Sequence, residues 1–444
     1  MDHLILTAGL NELPVLVAAH RLCRIHWDER KDLPKISVLC SESRKDELGS
    51  EEEAGRVRSS LVAKLVAEGL MRDERDSRFR WTPILVDPYR PIGILEKVTE
   101  LIRSDPGRTR SGYRFHLHYT GGTAAMGLHA LEALTVERTL EDSRYEYDTS
   151  YLNAKEYTLV FGREMLYGKV LDERKSWNLT VNDLAKLHGF RVISATTPDD
   201  TSIRVGHLML NILKDRRHYT LFGGWLRGTW EKQWENNVSI DWPVLDHPDW
   251  NELTGAIQGH FSQDSRWLSP VGAAWRIDLW RLSKPEKKRL AAFLHHQCLE
   301  LFAYDALQTA LKELSALEHV NLAQGVECHQ PGRRKFEMDV LAVFGYETLL
   351  VSCSLSIDER VKQKAFEALH RARQIGGTQA RAIVVCADTD SEAQSAEIGL
   401  EDDIGGRGQG RSVKIWGRST IDGPRELVDR FKHYILDMKW GGTA

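Results

Sequence analysis

The sequence predicts an α/β protein with a sheet-bearing region at each end and a middle of different character. Three observations predict it. Apolar runs and amphipathic stretches alternate one for one over residues 1–165, which implies a mostly parallel, doubly wound sheet. Residues 166–285 break that rhythm and gather eight of the thirteen tryptophans, between Trp225 and Trp280. Residues 286–444 run helix, strand hairpin, helix, strand. At 444 residues the chain is too long for one compact core, so three regions with these bounds are expected.

In the first region, His3 to Thr7 is a short apolar run closed by Ala8-Gly9. Asn11 to Arg24 is helical, with Pro14 tolerated in the first turn. Lys35 to Cys40 is a strand, Glu51 to Glu68 a helix, Trp81 to Val86 a strand and Pro91 to Arg103 a helix. Arg114 to Tyr119 is a strand that stops at a Gly pair, and Ala124 to Leu134 is the helix behind it. Tyr145 to Tyr147 and Tyr157 to Phe161 complete the sheet.

The middle opens on a helix start, with Thr180 as cap, Asp183 in the first turn and Gly189 as stop. Its tryptophans serve either as core or as platforms for single-stranded bases. In the third region Glu286 to Leu317 is helical and His319 to Leu322 a short strand. Phe336 to Phe344 and Thr348 to Ser354 form a hairpin around Gly345-Tyr346. Asp358 to Ile375 is helical, Arg381 to Ala387 is an apolar strand, and Glu401 to Ser412 reads as a loop.

Composition bounds the function. Lys plus Arg number 60 against 64 for Asp plus Glu, so no global basic field advertises nucleic acid. The six cysteines lack any C-x-x-C pair, which argues against structural zinc and a disulfide framework and suits a reducing cytoplasm. No basic leader precedes an apolar core at the N-terminus, and no apolar run approaches a membrane span. A soluble cytoplasmic protein is expected.

The most informative stretch is His118-Tyr119-Thr120-Gly121-Gly122-Thr123-Ala124-Ala125-Met126. Two glycines leave no Cβ in the way, so backbone amides can meet phosphate oxygens. The helix start behind them adds unpaired N–H groups and partial positive charge. Thr120 and Thr123 offer hydroxyls that either cap the helix or bind a ligand. The same residues equally make a tight strand-to-helix turn. Gly9-Leu10-Asn11 ends another strand, so both loops can share one ligand. His116 and His118 share a strand face and are expected to flank such a pocket rather than to bind metal.

The segment resembles the T-G-G-T signature of CARF domains, the CRISPR-associated Rossmann folds that bind cyclic oligoadenylates. Relatives commonly carry Lys where this chain has Ala124. The difference weakens phosphate contact and any ability to cleave the ligand.

A second constellation lies in the third region. Strand periodicity puts Glu337 and Asp339 on one face, where carboxylates can hold a hard divalent cation. The element order there resembles restriction-endonuclease-like nucleases of the PD-(D/E)xK superfamily. Asp339 matches the first acid of that motif, Glu337 makes an E-x-D variant, and Glu300 matches a helix-borne acid. Where E-x-K should stand the chain has Ser352-Cys353-Ser354. Either the site is rebuilt, with a main-chain carbonyl near Ser352 on the metal and the lysine moved to Lys362 or Lys364, or the domain only binds. Lys362 and Lys364 border an apolar helical stripe and equally suit a solvated face. Strand alternation turns Cys353 away from its serine neighbours. His295-His296 reads as a surface pair, and Arg407 to Arg411 as a loop.

The whole chain resembles the CARF-plus-nuclease effectors of type III CRISPR systems. That likeness implies a homodimer that sandwiches a cyclic oligoadenylate, the four-unit ring ahead of the six-unit one. Ligand would activate Mg2+- or Mn2+-dependent cleavage of single-stranded RNA or DNA, with nicking of duplex DNA in some relatives, in antiviral defence. The pocket would be lined by Gly9, Leu10, Asn11 and Thr120 to Met126. The competing expectation is a catalytically dead sensor that binds nucleic acid or a protein when ligand arrives.

Overall fold

The structure, a computed structural model, describes residues 1–9, 11–43, 49–140, 142–153, 158–162, 170–172, 177–236, 238–262, 264–272, 274–355, 361–404 and 412–438. The first sheet holds β1 (His3–Ala8), β2 (Lys35–Ser41), β3 (Arg80–Val86), β4 (Arg114–His118), β5 (Glu146–Asn153), β6 (Thr158–Phe161) and β7 (Val170–Asp172). Their order is β3-β2-β1-β4-β5-β6-β7. The first five run parallel, and the last two return antiparallel. The order reverses between β1 and β4, which opens a crevice at their carboxyl ends. Along β1 the side chains alternate between two cores. Leu4, Leu6 and Ala8 pack with the Glu12–Arg30 and Glu51–Ala67 helices, and Ile5 packs with the Pro91–Ser104 and Ala124–Arg138 helices.

The middle supplies β8 (Arg191–Thr196) and a small antiparallel sheet of β9 (Ser239–Asp241), β10 (Leu268–Val271) and β11 (Ala274–Asp278), in the order β10-β11-β9. The expected Thr180–Asp183 capping box is present, and Gly189 has φ +75°. The tryptophans serve as core. Trp230, Trp242, Trp250 and Trp267 are buried, and Trp242 stacks on Trp250 with ring centroids 5.5 Å apart. Of the eight, Trp280 alone is more than a third exposed.

The second large sheet comprises β12 (Val320–His329), β13 (Phe336–Phe344), β14 (Glu347–Ser354), β15 (Arg381–Cys386) and β16 (Val413–Trp416), ordered β16-β15-β14-β13-β12-β8. Its outer strand β8 comes from the middle of the chain and pairs antiparallel with β12, Gln324 opposite Thr196. The Cys298–Glu313 and Val361–Gly376 helices both pack against β14. Two expectations are corrected. β12 runs well past Leu322, because its partners β13 and β8 hold it in register as far as His329. The stretch 401–404 is helical, ending the helix Asp390–Ile404, where Asp403 is held at 2.8 Å by Lys362 Nζ. Residues 405–411, with the Arg407 to Arg411 loop, lie outside the described residues. Among the described residues, no helix is long and apolar enough to cross a membrane.

Candidate functional sites

The loops after β1 and β4 meet at the crevice, and their glycines are there because the two backbones interlock. A Cβ on Gly9 would stand 2.0 Å from Gly121 O, and one on Gly121 would stand 2.0 Å from Val15 Cγ2 and 2.5 Å from Thr7 O. Gly122 faces Thr7 in the same way, 2.6 Å from its Cβ. Much of the polar equipment expected for a ligand is engaged in building this turn. The Gly122 amide donates to Thr7 Oγ1 at 3.0 Å. Thr120 Oγ1 accepts from the Leu152 amide at 2.6 Å, tying the turn to β5. Thr123 is the helix cap, its Oγ1 accepting from the Met126 amide at 3.2 Å.

Thr123 and Ala124 are left exposed above the crevice, with Gly121, Gly122 and Ala125 half-buried. The amides of Ala124 and Ala125, in the first turn, have no intrahelical acceptor and carry the positive end of the helix dipole. Met126 is buried, because a residue three past the cap turns onto the sheet; its side chain packs beneath Gly122 rather than facing a ligand. Leu10 lies outside the described residues. Asn11 is half-buried and donates through Nδ2 to Thr378 Oγ1 at 3.2 Å.

His116 and His118 do not flank the crevice. Both are buried and meet Ser150 Oγ, at 2.8 and 3.0 Å, and burial pushes both imidazoles down to about 3, so they are neutral. What borders the crevice instead is an aromatic pair that sequence inspection missed. Tyr119 is 38% exposed, with its ring 6.0 Å from that of Tyr151. Both tyrosines sit at carboxyl ends of neighbouring strands, a placement visible only once β4 and β5 are paired. A Ser37–His3–Asp105 string, with both bonds 2.8 Å, lies near the opposite end of β1. All three residues are buried, so no substrate reaches Ser37 and the string serves as structure.

The acids of the second large sheet converge on Asp339. Its Oδ2 accepts the Cys353 amide at 2.6 Å and the Ser352 hydroxyl at 3.0 Å, which leaves Oδ1 outside these bonds. Ser352 thus holds Asp339 through its side chain. Cys353 points into the core, as strand alternation requires. Lys364 Nζ stands 3.9 Å from Asp339 Oδ2. Lys362 does not join it, because its position on the helix turns it to Asp403.

Glu300 is buried and touches Gln324 at 3.4 Å. Burial, then repulsion from Asp339 and Glu337, raise its carboxyl well above the usual range. Glu337 is raised too, by partial burial, Asp339 and Glu327. Its backbone carbonyl accepts from Arg371 at 2.5 Å. His296 also belongs here, with Nε2 3.5 Å from Glu300 Oε1. A π-helical turn, Phe293–Gln297, interrupts the helix and carries it to the acids; such turns gather at functional sites. The His-x-x-x-Glu spacing to Glu300 was the signal available in the sequence.

Among the described residues, no three His, Cys, Asp or Glu side chains form a ready-made metal cage. The donor chemistry still suits a hard cation. Mg2+ takes one or two carboxylates and fills the rest with water and phosphate, and the mutual repulsion of Glu300, Asp339 and Glu337 is relieved by positive charge.

The fold is α/β, with a seven-stranded sheet early in the chain, a six-stranded mixed sheet late in it and a three-stranded sheet from the middle. Its likeness to solved structures spans the whole chain. Protein VC1899 from Vibrio cholerae matches with a TM-score of 0.64 at 12% identity, over 100% of this chain and 99% of that one. Can2 from Sulfobacillus thermosulfidooxidans, solved in complex with cyclic tetra-adenylate, matches with a TM-score of 0.64 at 12% identity, over 98% of this chain and 99% of that one. No known family profile matches the sequence, and no curated protein does.

Proposed function

We propose that this chain is a nuclease switched on by a cyclic oligoadenylate, with the four-unit ring as the leading ligand and Mg2+ or Mn2+ as cofactor. Its substrate is single-stranded RNA or DNA, duplex DNA being nicked at most, and it works as a homodimer in the cytoplasm, in type III CRISPR antiviral defence. The observation that carries this reading is the presence, in one chain, of a glycine-lined crevice at the switch point between β1 and β4 and an acid cluster facing Lys364. The end-to-end fold likeness to a protein solved with cyclic tetra-adenylate supports the choice of ligand.

In this reading the first-turn amides of Ala124 and Ala125, with the Thr123 hydroxyl, meet ligand phosphates, and Gly9 and Gly121 let the two loops that carry them interlock. Asp339 Oδ1, Glu337 and Glu300 hold the cation, with the Ser352 carbonyl in support. The cation, when bound, polarises the scissile phosphate and acidifies a water. Ser352 and the Cys353 amide fix the Asp339 carboxylate in one orientation. Lys364 places its ammonium beside that carboxylate and balances charge that develops on the phosphate. Arg371 fastens the start of β13 through the Glu337 carbonyl.

A second reading, a sensor that binds without cutting, is favoured by one observation. Serine occupies the place of the E-x-K acid, and Asp339 Oδ2 is already engaged by chain groups. One assay separates the two. The protein is offered labelled single strands with rings of three to six adenylates and with Mg2+ or Mn2+. The nuclease reading expects cleavage only with ring and metal, lost in Asp339→Ala; ring-dependent binding with intact strands selects the sensor.

A further inference from the structure

Asn11 follows the first strand at the rim of the crevice, yet its amide reaches the far half of the molecule. Nδ2 donates to Thr378 Oγ1 at 3.2 Å, a contact between residues 367 apart in the chain. Oδ1 is buried without a hydrogen-bond partner among the described residues. It lies over Gly377, where an added Cβ would come within 2.7 Å of it. Gly377 has φ +70°, so backbone conformation and the closeness of Asn11 both call for glycine there.

Gly377 and Thr378 follow directly on the helix Val361–Gly376. That helix carries Lys364, 3.9 Å from Asp339, and Arg371, which donates to the Glu337 carbonyl. Its end is seated on the sheet, since a Cβ on Gly376 would stand 1.6 Å from Thr348 Oγ1. From Lys364 to Gly376 a helix spans roughly 18 Å. One rigid element therefore touches the crevice loop at one end and the acid cluster at the other.

We propose that Asn11 is a positioning residue that passes ligand occupancy of the crevice to the acid cluster, through Gly377, Thr378 and the Val361–Gly376 helix, without passing through the tryptophan-rich middle. The inference rests on the reading that the crevice takes a cyclic oligoadenylate. An amide with one unmet oxygen and one donor held by a single neutral hydroxyl is easily recruited by a ligand. Recruitment breaks the bond to Thr378 and frees the helix end, and Lys364 moves with it. The ligand shifts the helix only as far as it prefers the shifted arrangement, typically a factor of roughly 5 to 150.

Hydrogen exchange on the full chain tests this, with cyclic tri-, tetra- and hexa-adenylate and cleavage measured in parallel. In the wild type, the effective ring is expected to change exchange both at 119–126 and at 361–378. Thr378→Val keeps the shape and removes the acceptor. It is expected to keep the response at 119–126, lose that at 361–378, and cut ring-stimulated cleavage about ten-fold with basal turnover unchanged. Asn11→Ala is expected to lose the helix response likewise. The route is overturned if the wild type responds at 119–126 but not at 361–378, or if Thr378→Val transmits like the wild type. If no ring changes 119–126, the crevice reading falls first and this route with it.

Discussion

Lys364 Nζ stands 3.9 Å from Asp339 Oδ2, although all of β14 separates them in the chain. Lys362, two residues earlier on the same helix, is committed to Asp403 instead. The two lysines are therefore expected to part ways under mutation. Asp339→Ala should cost at least roughly 100-fold in ring-dependent cleavage, and Lys364→Ala about 10- to 100-fold. Lys362→Ala should leave the rate unchanged. Single-turnover kinetics with saturating ring and metal measure all three, and equal losses at both lysines would remove Lys364 from the chemistry.

The crevice glycines make a stability prediction independent of any ligand. A methyl on Gly121 meets Val15 Cγ2 at 2.0 Å and the Thr7 carbonyl at 2.5 Å, and a backbone oxygen in a central strand has nowhere to go. Gly121→Ala should lower stability by about 1–3 kcal/mol. The denaturant midpoint should fall with the slope unchanged.

Ala124 is exposed in the first helical turn, beside the free amides. Ala124→Lys should tighten binding of cyclic tetra-adenylate several-fold, on the order of 1 kcal/mol, against a smaller penalty from the helix dipole. The gain should shrink as salt rises from 0.05 to about 0.5 M, because the new charge is exposed. Calorimetric titration at the two salt levels reads it; a gain that ignores salt would mean the lysine acts elsewhere.

Asp105 predicts a pH dependence. Burial alone would raise its carboxyl, but bonds from His3 at 2.8 Å, the Gly107 amide at 2.8 Å and Tyr113 at 3.0 Å outweigh that and hold it well below the usual range. A depressed folded value stabilises the native state above the unfolded value of about 3.9, and that stability is lost as pH falls through the folded value. The wild type should therefore lose melting temperature below about pH 4. Asp105→Asn should be less stable at pH 7 and show a flatter acid limb.

What local pattern can encode was readable. The strand and helix alternation of the first region follows from side-chain periodicity. Asp339 and Glu337 fall on one face because a strand repeats every two residues. What could not be read needs the chain folded back on itself. The Gly122 amide is taken by Thr7, 115 residues away. β8 reaches across the molecule to complete the second large sheet, and nothing in Arg191–Thr196 names β12 as its partner. Met126 looked like a pocket residue by adjacency to the glycines, whereas the helix beginning at Ala124 turns it inward. His296 was legible by its four-residue spacing to Glu300, but the reading of His295-His296 as a surface pair passed over it.

The stacked and edge-on indoles of the middle region, Trp225, Trp230, Trp242 and Trp250, have ring centroids 5.4–5.9 Å apart. At such spacing excitation hops between rings, so their emission behaves as one chromophore. Since eight of the thirteen tryptophans fall in this segment, the native fluorescence of the protein is largely a report on it. A red shift in denaturant would mark when water enters that segment, while far-ultraviolet dichroism follows the helices and the two large sheets. The order of the two transitions shows whether the centre melts with its flanks or before them.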